Sequence, residues 1–173
     1  MDIKNFDFKQ LNLIKAKKSK TEKYIICDKF NKKIHETLDE VYVPFGIEKW
    51  NNTQLLNIEI NPNKNNKQLN INALLKSYDD IFREQIKLHH NVDNKTYYSF
   101  LKDSKYGCIM RTHISDYPKI TKCSDINSGS DIIKMTSADI VKNNVKITLS
   151  LSTLWFTDIS YGVTWDVVSM ELL

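Results

Sequence analysis

The chain has little glycine and little proline, four and three residues in 173. Compositions rich in those residues belong to collagen-like, linker or disordered chains, so their scarcity excludes those classes. Cysteine is nearly as sparse. Cys27, Cys108 and Cys123 form no close pair, which excludes a disulfide framework and a thioredoxin-like motif, and fits a reducing, cytoplasmic compartment. No apolar run approaches the roughly 20 residues that span a bilayer, and the first residues carry Asp2 and Asp7 rather than a signal-type apolar stretch. Also missing are a glycine-rich phosphate loop, a Walker lysine and a nucleophile elbow.

What remains is 41% hydrophobic and 27% charged, the balance of one folded domain. Its formal charge of +4 is unevenly spread. Residues 1–35 hold ten lysines against four acids, a local +6, and the remainder holds 15 basic residues against 17 acids, or −2. Residues 1–22 therefore read as a basic arm, either free or part of the same barrel, and 23–173 as a single domain. The 23 Lys, 20 Ile and 17 Asn point to an AT-rich genome, which discounts lysine number alone as evidence of binding.

One helix is expected. Ile71, Leu74, Leu75, Tyr78, Ile81, Phe82 and Ile86 recur at three- and four-residue steps, starting near Leu69 after the polar loop Asn61 to Gln68 and ending around His89-His90-Asn91. Asp79, Asp80 and Glu84 are placed on its solvated side. The rest reads as strand. Lys23–Asp28, Thr37–Pro44 and Leu55–Ile60 precede the helix. After it, Tyr106–Ile114 alternates Cys108, Met110, Thr112 and Ile114 against Ile109, Arg111 and His113. Val145, Ile147, Leu149 and Leu151 alternate with polar neighbours until the phase slips at Thr153-Leu154, as a bulge makes it, before Trp155-Phe156. The Thr157–Gly162 connection leads to a return strand over Val163–Met170. A mainly β chain with one central helix and a terminal hairpin suggests an OB-type Greek-key barrel.

Residues 95–113 interleave Tyr97, Tyr98, Phe100 and Tyr106 with Lys95, Lys102, Lys105, Arg111 and His113. Aromatic faces stack bases at about 1–3 kcal/mol each and cations follow phosphates, so this is the pattern single-strand binding needs. For catalysis or metal there is no constellation. Cys108 and His113, five apart, fall on opposite faces of one strand, and no His or Cys pair has zinc spacing. No cofactor and no enzyme activity are expected.

Val43-Pro44-Phe45-Gly46-Ile47-Glu48-Lys49-Trp50 resembles the valine-proline-phenylalanine-glycine motif of the OB-fold single-stranded DNA-binding proteins of large DNA viruses and phages. The segment Leu151 to Phe156 and Tyr161 to Val168, with its tryptophan, glycine and second tryptophan, is similar to their terminal hairpin. Size and composition most resemble the members from yeast cytoplasmic linear plasmids. The resemblance implies a replication protein that coats single-stranded DNA and works with replication partners, although the acidic tail of many relatives is not seen in Ser169 to Leu173. By position it carries over Phe45, Lys49 and Trp50, then Trp155, Phe156 and Trp165, the last assigned to the core. The combined expectation places phosphates on Lys33, Lys49, Lys102 and Arg111 and bases on Tyr97, Phe100, Tyr106 and Phe156. Trp50, His113 and Trp155 join the same interface, one of Trp155 and Phe156 being exposed. RNA binding or a non-catalytic protein-interaction barrel are the alternatives; oligomeric state stays open.

Overall fold

A computed structural model describes residues 11–17, 21–50, 53–114, 119–122 and 138–173. Five long strands form its frame: β3 (Ile34–Val43), β5 (Thr53–Ile60), β8 (Gly107–Ile114), β10 (Asn143–Phe156) and β11 (Ser160–Leu172). Antiparallel pairs join β10 to β3, β3 to β5, β5 to β8 and β11 back to β10. A parallel step from β8 to β11, with His113 opposite Asp166, completes the ring. This is the connectivity of an OB-type barrel, as the sequence suggested.

The shorter strands extend that ring. β2 (Glu22–Cys27) and β3 lie end to end along one edge of β10, because Thr153 faces both Ile25 and Thr164 while Leu151 faces both Ile34 and Trp165. β1 (Asn12–Lys15) pairs with β2, so the arm expected over residues 1–22 contributes a strand to the sheet. β4 (Glu48–Trp50) pairs with β5, β7 (Leu101–Ser104) with β8, and β6 (Thr96–Tyr98) and β9 (Lys119–Lys122) run parallel to β11.

Alternation along the strands decides what fills the barrel. Cys108, Met110, Thr112 and Ile114 point inward, as do Val145, Ile147, Leu149 and Leu151. Register shifts at Thr148/Leu149 and Leu151/Thr153 mark bulges, the second at the expected phase slip. The helix α1 (Asn66–His89) plugs the barrel with Leu75, Tyr78, Phe82 and Ile86. Tyr78 stacks on the fully buried Trp165 at 6.3 Å, and Phe82 meets it edge-on at 6.5 Å.

Two expectations need correction here. The helix begins three residues before Leu69, because the Asn65 side chain accepts from Gln68 N at 2.9 Å and caps it inside the tract read as loop. Asp79 is not solvated. It sits on the buried phase of Leu75, Tyr78 and Phe82, and only Asp80 and Glu84 are exposed. Among the described residues no helix is long and apolar enough to cross a membrane.

Candidate nucleic-acid interface

β5 and β8 pair over their whole length, and their outer side holds a cleft of about 440 Å³. Arg111 and His113 reach it from β8, Lys23 from β2 and Trp155 from β10, while Leu55 and Val163 supply apolar surface. A second groove of about 360 Å³ adjoins it and adds Lys102 and Ile109. Tyr98, Ser99, Phe100 and Arg111 line both, so the two form one channel divided by the segment that follows β6. No carboxylate lines either part.

Two aromatic rings face this channel for identifiable reasons. A Cβ on Gly162 would lie 2.7 Å from the Tyr98 carbonyl oxygen and 2.9 Å from the Trp155 ring, so the indole rests on bare backbone. Tyr98, 61% exposed, stands 6.3 Å from Trp155 at 53°. The strand around Tyr98 is pinned from the helix side. Tyr97 Oη and Ser99 Oγ each donate to the buried Asp79 carboxylate at 2.8 Å, and Arg83 adds a bond at 3.3 Å. Because neighbours in a strand point to opposite sides, holding Tyr97 and Ser99 on the helix turns Tyr98 outward. Burial, then the charge of Asp79, pushes the Tyr97 phenol well above its usual value and keeps it a donor. Lys95 Nζ donates to the Thr157 carbonyl at 2.6 Å and ties the same segment to the β10–β11 turn.

Charge in the channel is cationic and adjustable. Burial lowers the His113 pKa; Asp166 opposes that, whereas Lys23 and Arg111 reinforce it. The imidazole is therefore a neutral donor and acceptor near pH 7, able to gain a proton when an anion enters. Among the described residues no group of three His, Cys, Asp or Glu is placed to hold a metal ion.

The expected site residues separate into three groups. Arg111, His113 and Trp155 meet in the cleft, with Tyr97 and Lys102 in the adjoining groove. Lys33, Lys49 and Tyr106 are exposed but stand elsewhere, in the β2–β3 turn, on β4 and in the β7–β8 turn. The Trp50 side chain lies outside the described residues. Phe100 and Phe156 are corrections. Phe100 is 6% exposed with its ring edge-on to Trp165 at 6.0 Å, and Phe156, 5% exposed, stacks on Tyr161 at 6.2 Å, so neither offers a free face to a base. Of the Trp155-Phe156 pair, Trp155 is the more exposed member. Tyr97 gives its hydroxyl to Asp79, and its ring lies against Tyr161 and under Arg83.

Three residues were given no role by the sequence, although Tyr98 stood among the interleaved aromatics. Tyr98 belongs to a strand too short to reveal its phase. Lys23 was read as the first residue of a strand but given no contact, although it shares a strand face with Ile25. Asp79 carried a readable signal, a carboxylate in step with the apolar stripe of α1.

No protein-family profile matches the chain, and no curated protein does either. Solved structures do. The single-stranded DNA-binding protein from bacteriophage Enc34 aligns over 93% of this chain and 89% of its own, with 13% identity and a TM-score of 0.51. The same phage protein in complex with single-stranded DNA aligns over 94% of this chain and 95% of its own, with 12% identity and a TM-score of 0.54. At such identities the similarity is one of fold. These neighbours are phage proteins, and they give no support to the finer likeness to the yeast-plasmid members.

Proposed function

We propose that the protein binds single-stranded DNA without sequence selection, coating strands exposed during replication, and that residues 23–173 act as one binding unit to which the basic arm adds charge. The observation that carries this reading is the channel over β5 and β8. Its wall combines two accessible rings, Tyr98 and Trp155, with Lys23, Arg111, His113 and Lys102, and contains no carboxylate. Rings stack any base and cations follow any phosphate, so the combination suits a strand whose sequence is not read. In OB-type barrels the outer face of the second and third barrel strands, here β5 and β8, is where oligonucleotides bind. The similarity to a phage protein whose structure holds single-stranded DNA gives further support.

Tryptophan fluorescence titrated with single-stranded DNA, duplex DNA and RNA of equal length, at two salt concentrations, tests the proposal. Quenching strongest for the DNA single strand, with a log–log salt slope near −0.7 per phosphate contacted, is the expected result. Tighter binding of RNA would move the function to transcripts. Absence of quenching and of any mobility shift at low salt would overturn the reading and leave a protein-interaction barrel.

A further inference from the structure

The cationic face continues past the cleft along β2. Thr21 and Lys23 line the cleft, and two residues further on the same face is Ile25, 43% exposed. Ile25 lies directly opposite Ile14 of β1, equally exposed, so two aliphatic side chains stand together on the outside of the sheet. The acid of this strand is on the other face. Glu22 accepts from Tyr24 Oη at 2.6 Å there, and the Tyr24 ring meets Phe156 edge-on.

At the far end of β2 the chain turns through residues 28–33, and this turn is held by its own bonds. The Asp28 carboxylate accepts from Phe30 N and Lys32 N, both at 2.8 Å. Asp28 N donates to Lys32 O at 2.9 Å, Asn31 N donates to Asp28 O at 3.0 Å, and Asn31 adopts φ +60°. The turn leans onto the same sheet face, because the Asn12 side chain, in phase with Ile14, donates to that of Asn31. It presents Phe30, 68% exposed, with Lys29 Nζ 5.1 Å over the ring and Lys32 and Lys33 exposed beside it. The turn's one acid faces its own backbone amides.

We propose that this turn is a second binding station for the same single strand, which leaves the cleft past Lys23, crosses the Ile25–Ile14 step, stacks a base on Phe30 and sets phosphates against Lys29, Lys32 and Lys33. The inference rests on the single-strand reading of the cleft. It gives a place to Lys33, which the cleft does not use. Four lysines along the track and an accessible ring at its end match a polyanion bearing flat bases, and the track is continuous with the channel. The six residues of β2 set the turn about 20 Å from that strand's first residue, beyond the reach of an oligomer that only fills the cleft.

Oligothymidylates of about 4 to about 16 nucleotides, titrated onto the full chain, separate the station from the cleft. Phe30→Ala is expected to leave affinity for the shortest oligomers unchanged and to lower it about tenfold for the longest. Replacing Lys29, Lys32 and Lys33 by Gln should flatten the salt slope by about 2, again only for long oligomers. Normal wild-type binding with both variants unaltered at every length would overturn the second station and leave the cleft reading intact. A wild-type chain that binds no oligomer at any length would overturn the cleft reading itself.

Discussion

Two depressions with no lining residue in common invite comparison. The larger, about 680 Å³, lies between α1 and β3 and is lined by Glu36, Asp39 and Lys67 with Ile71 and Leu74. The smaller is the cleft over β5 and β8, at about 440 Å³. Size favours the first as a ligand site, but chemistry favours the second. In the α1–β3 groove two carboxylates repel phosphate, and the aromatic residue, Tyr78, is stacked on Trp165 with its hydroxyl bonded to Glu36 at 2.9 Å. In the cleft the carboxylates are absent and the rings are presented. What a depression can bind follows from which side chains its backbone leaves uncommitted, and volume is a poor guide to it.

The sharpest way to break this comparison is to change one side chain on each side. Trp155→Ala is expected to weaken single-strand binding by roughly 5- to 150-fold, the worth of about 1–3 kcal/mol for a stacked base. Lys67→Gln in the other groove should leave affinity unchanged. Fluorescence anisotropy of a labelled oligonucleotide, with circular dichroism to verify folding, measures both. Comparable losses at the two sites would erase the distinction.

Gly162→Ala attacks the platform under the indole. The new methyl cannot fit between the Tyr98 carbonyl and the Trp155 ring without displacing one of them, and overpacking of this kind costs about 1–3 kcal/mol. Denaturant unfolding should show that loss, accompanied by weaker binding because both displaced groups belong to the cleft. Unfolding at the wild-type midpoint would mean that the indole does not rest on Gly162.

Asp79→Asn is subtler. The amide keeps one acceptor oxygen for Tyr97 and can turn its new donor toward Ser99, whose hydroxyl then gives its proton to the Leu101 carbonyl at 2.8 Å, so what is lost is the charge that strengthens these bonds and pairs with Arg83, a cost of about 1 kcal/mol. Faster hydrogen exchange is expected at residues 96–101, together with a modest loss of affinity through Tyr98. Exchange in that segment equal to wild type would show that the helix does not hold it.

These residues also show what a sequence can and cannot disclose. The phases of β8 and β10 are plain because eight or more residues alternate, and the second bulge announces itself where alternation slips. Phe156 and Trp155 could not be ranked, since the bulge resets the phase just before them. β6 has three residues and pairs in parallel with a strand more than 60 positions away, so neither its existence nor the outward turn of Tyr98 has a local signature. The start of α1 was hidden by composition. Asn-rich tracts usually loop, yet Asn65 uses the same side-chain chemistry to cap a helix. The motif likeness pointed to the terminal hairpin but carried no expectation of the short strand Glu48–Trp50, and it could not say which of the hairpin aromatics the core would claim.

The smallest expected effect is the one that separates stability from binding by its sign. Burial, with Lys23 and Arg111, holds the His113 pKa below its usual value against the pull of Asp166, and burial lowers His90 as well. An unfolded histidine titrates near 6.5, so between that value and the folded pKa the unfolded chain binds more protons. Stability contributed by the two neutral imidazoles is thus complete above about pH 6.5 and is lost as pH falls through their folded values. On the proposed function, phosphates in the cleft would offset Lys23 and Arg111, raise the imidazole pKa of His113 alone and couple binding to proton uptake. Affinity should therefore rise as pH falls toward the range in which His113 titrates, while the free protein becomes less stable below about pH 6.5. In His113→Gln the affinity should lose its pH slope. In His90→Gln, whose ring lies against Phe156 and Tyr24 away from the cleft, only the stability curve should change. An affinity slope that survives His113→Gln would place the bound phosphates away from β8, and with them the whole channel.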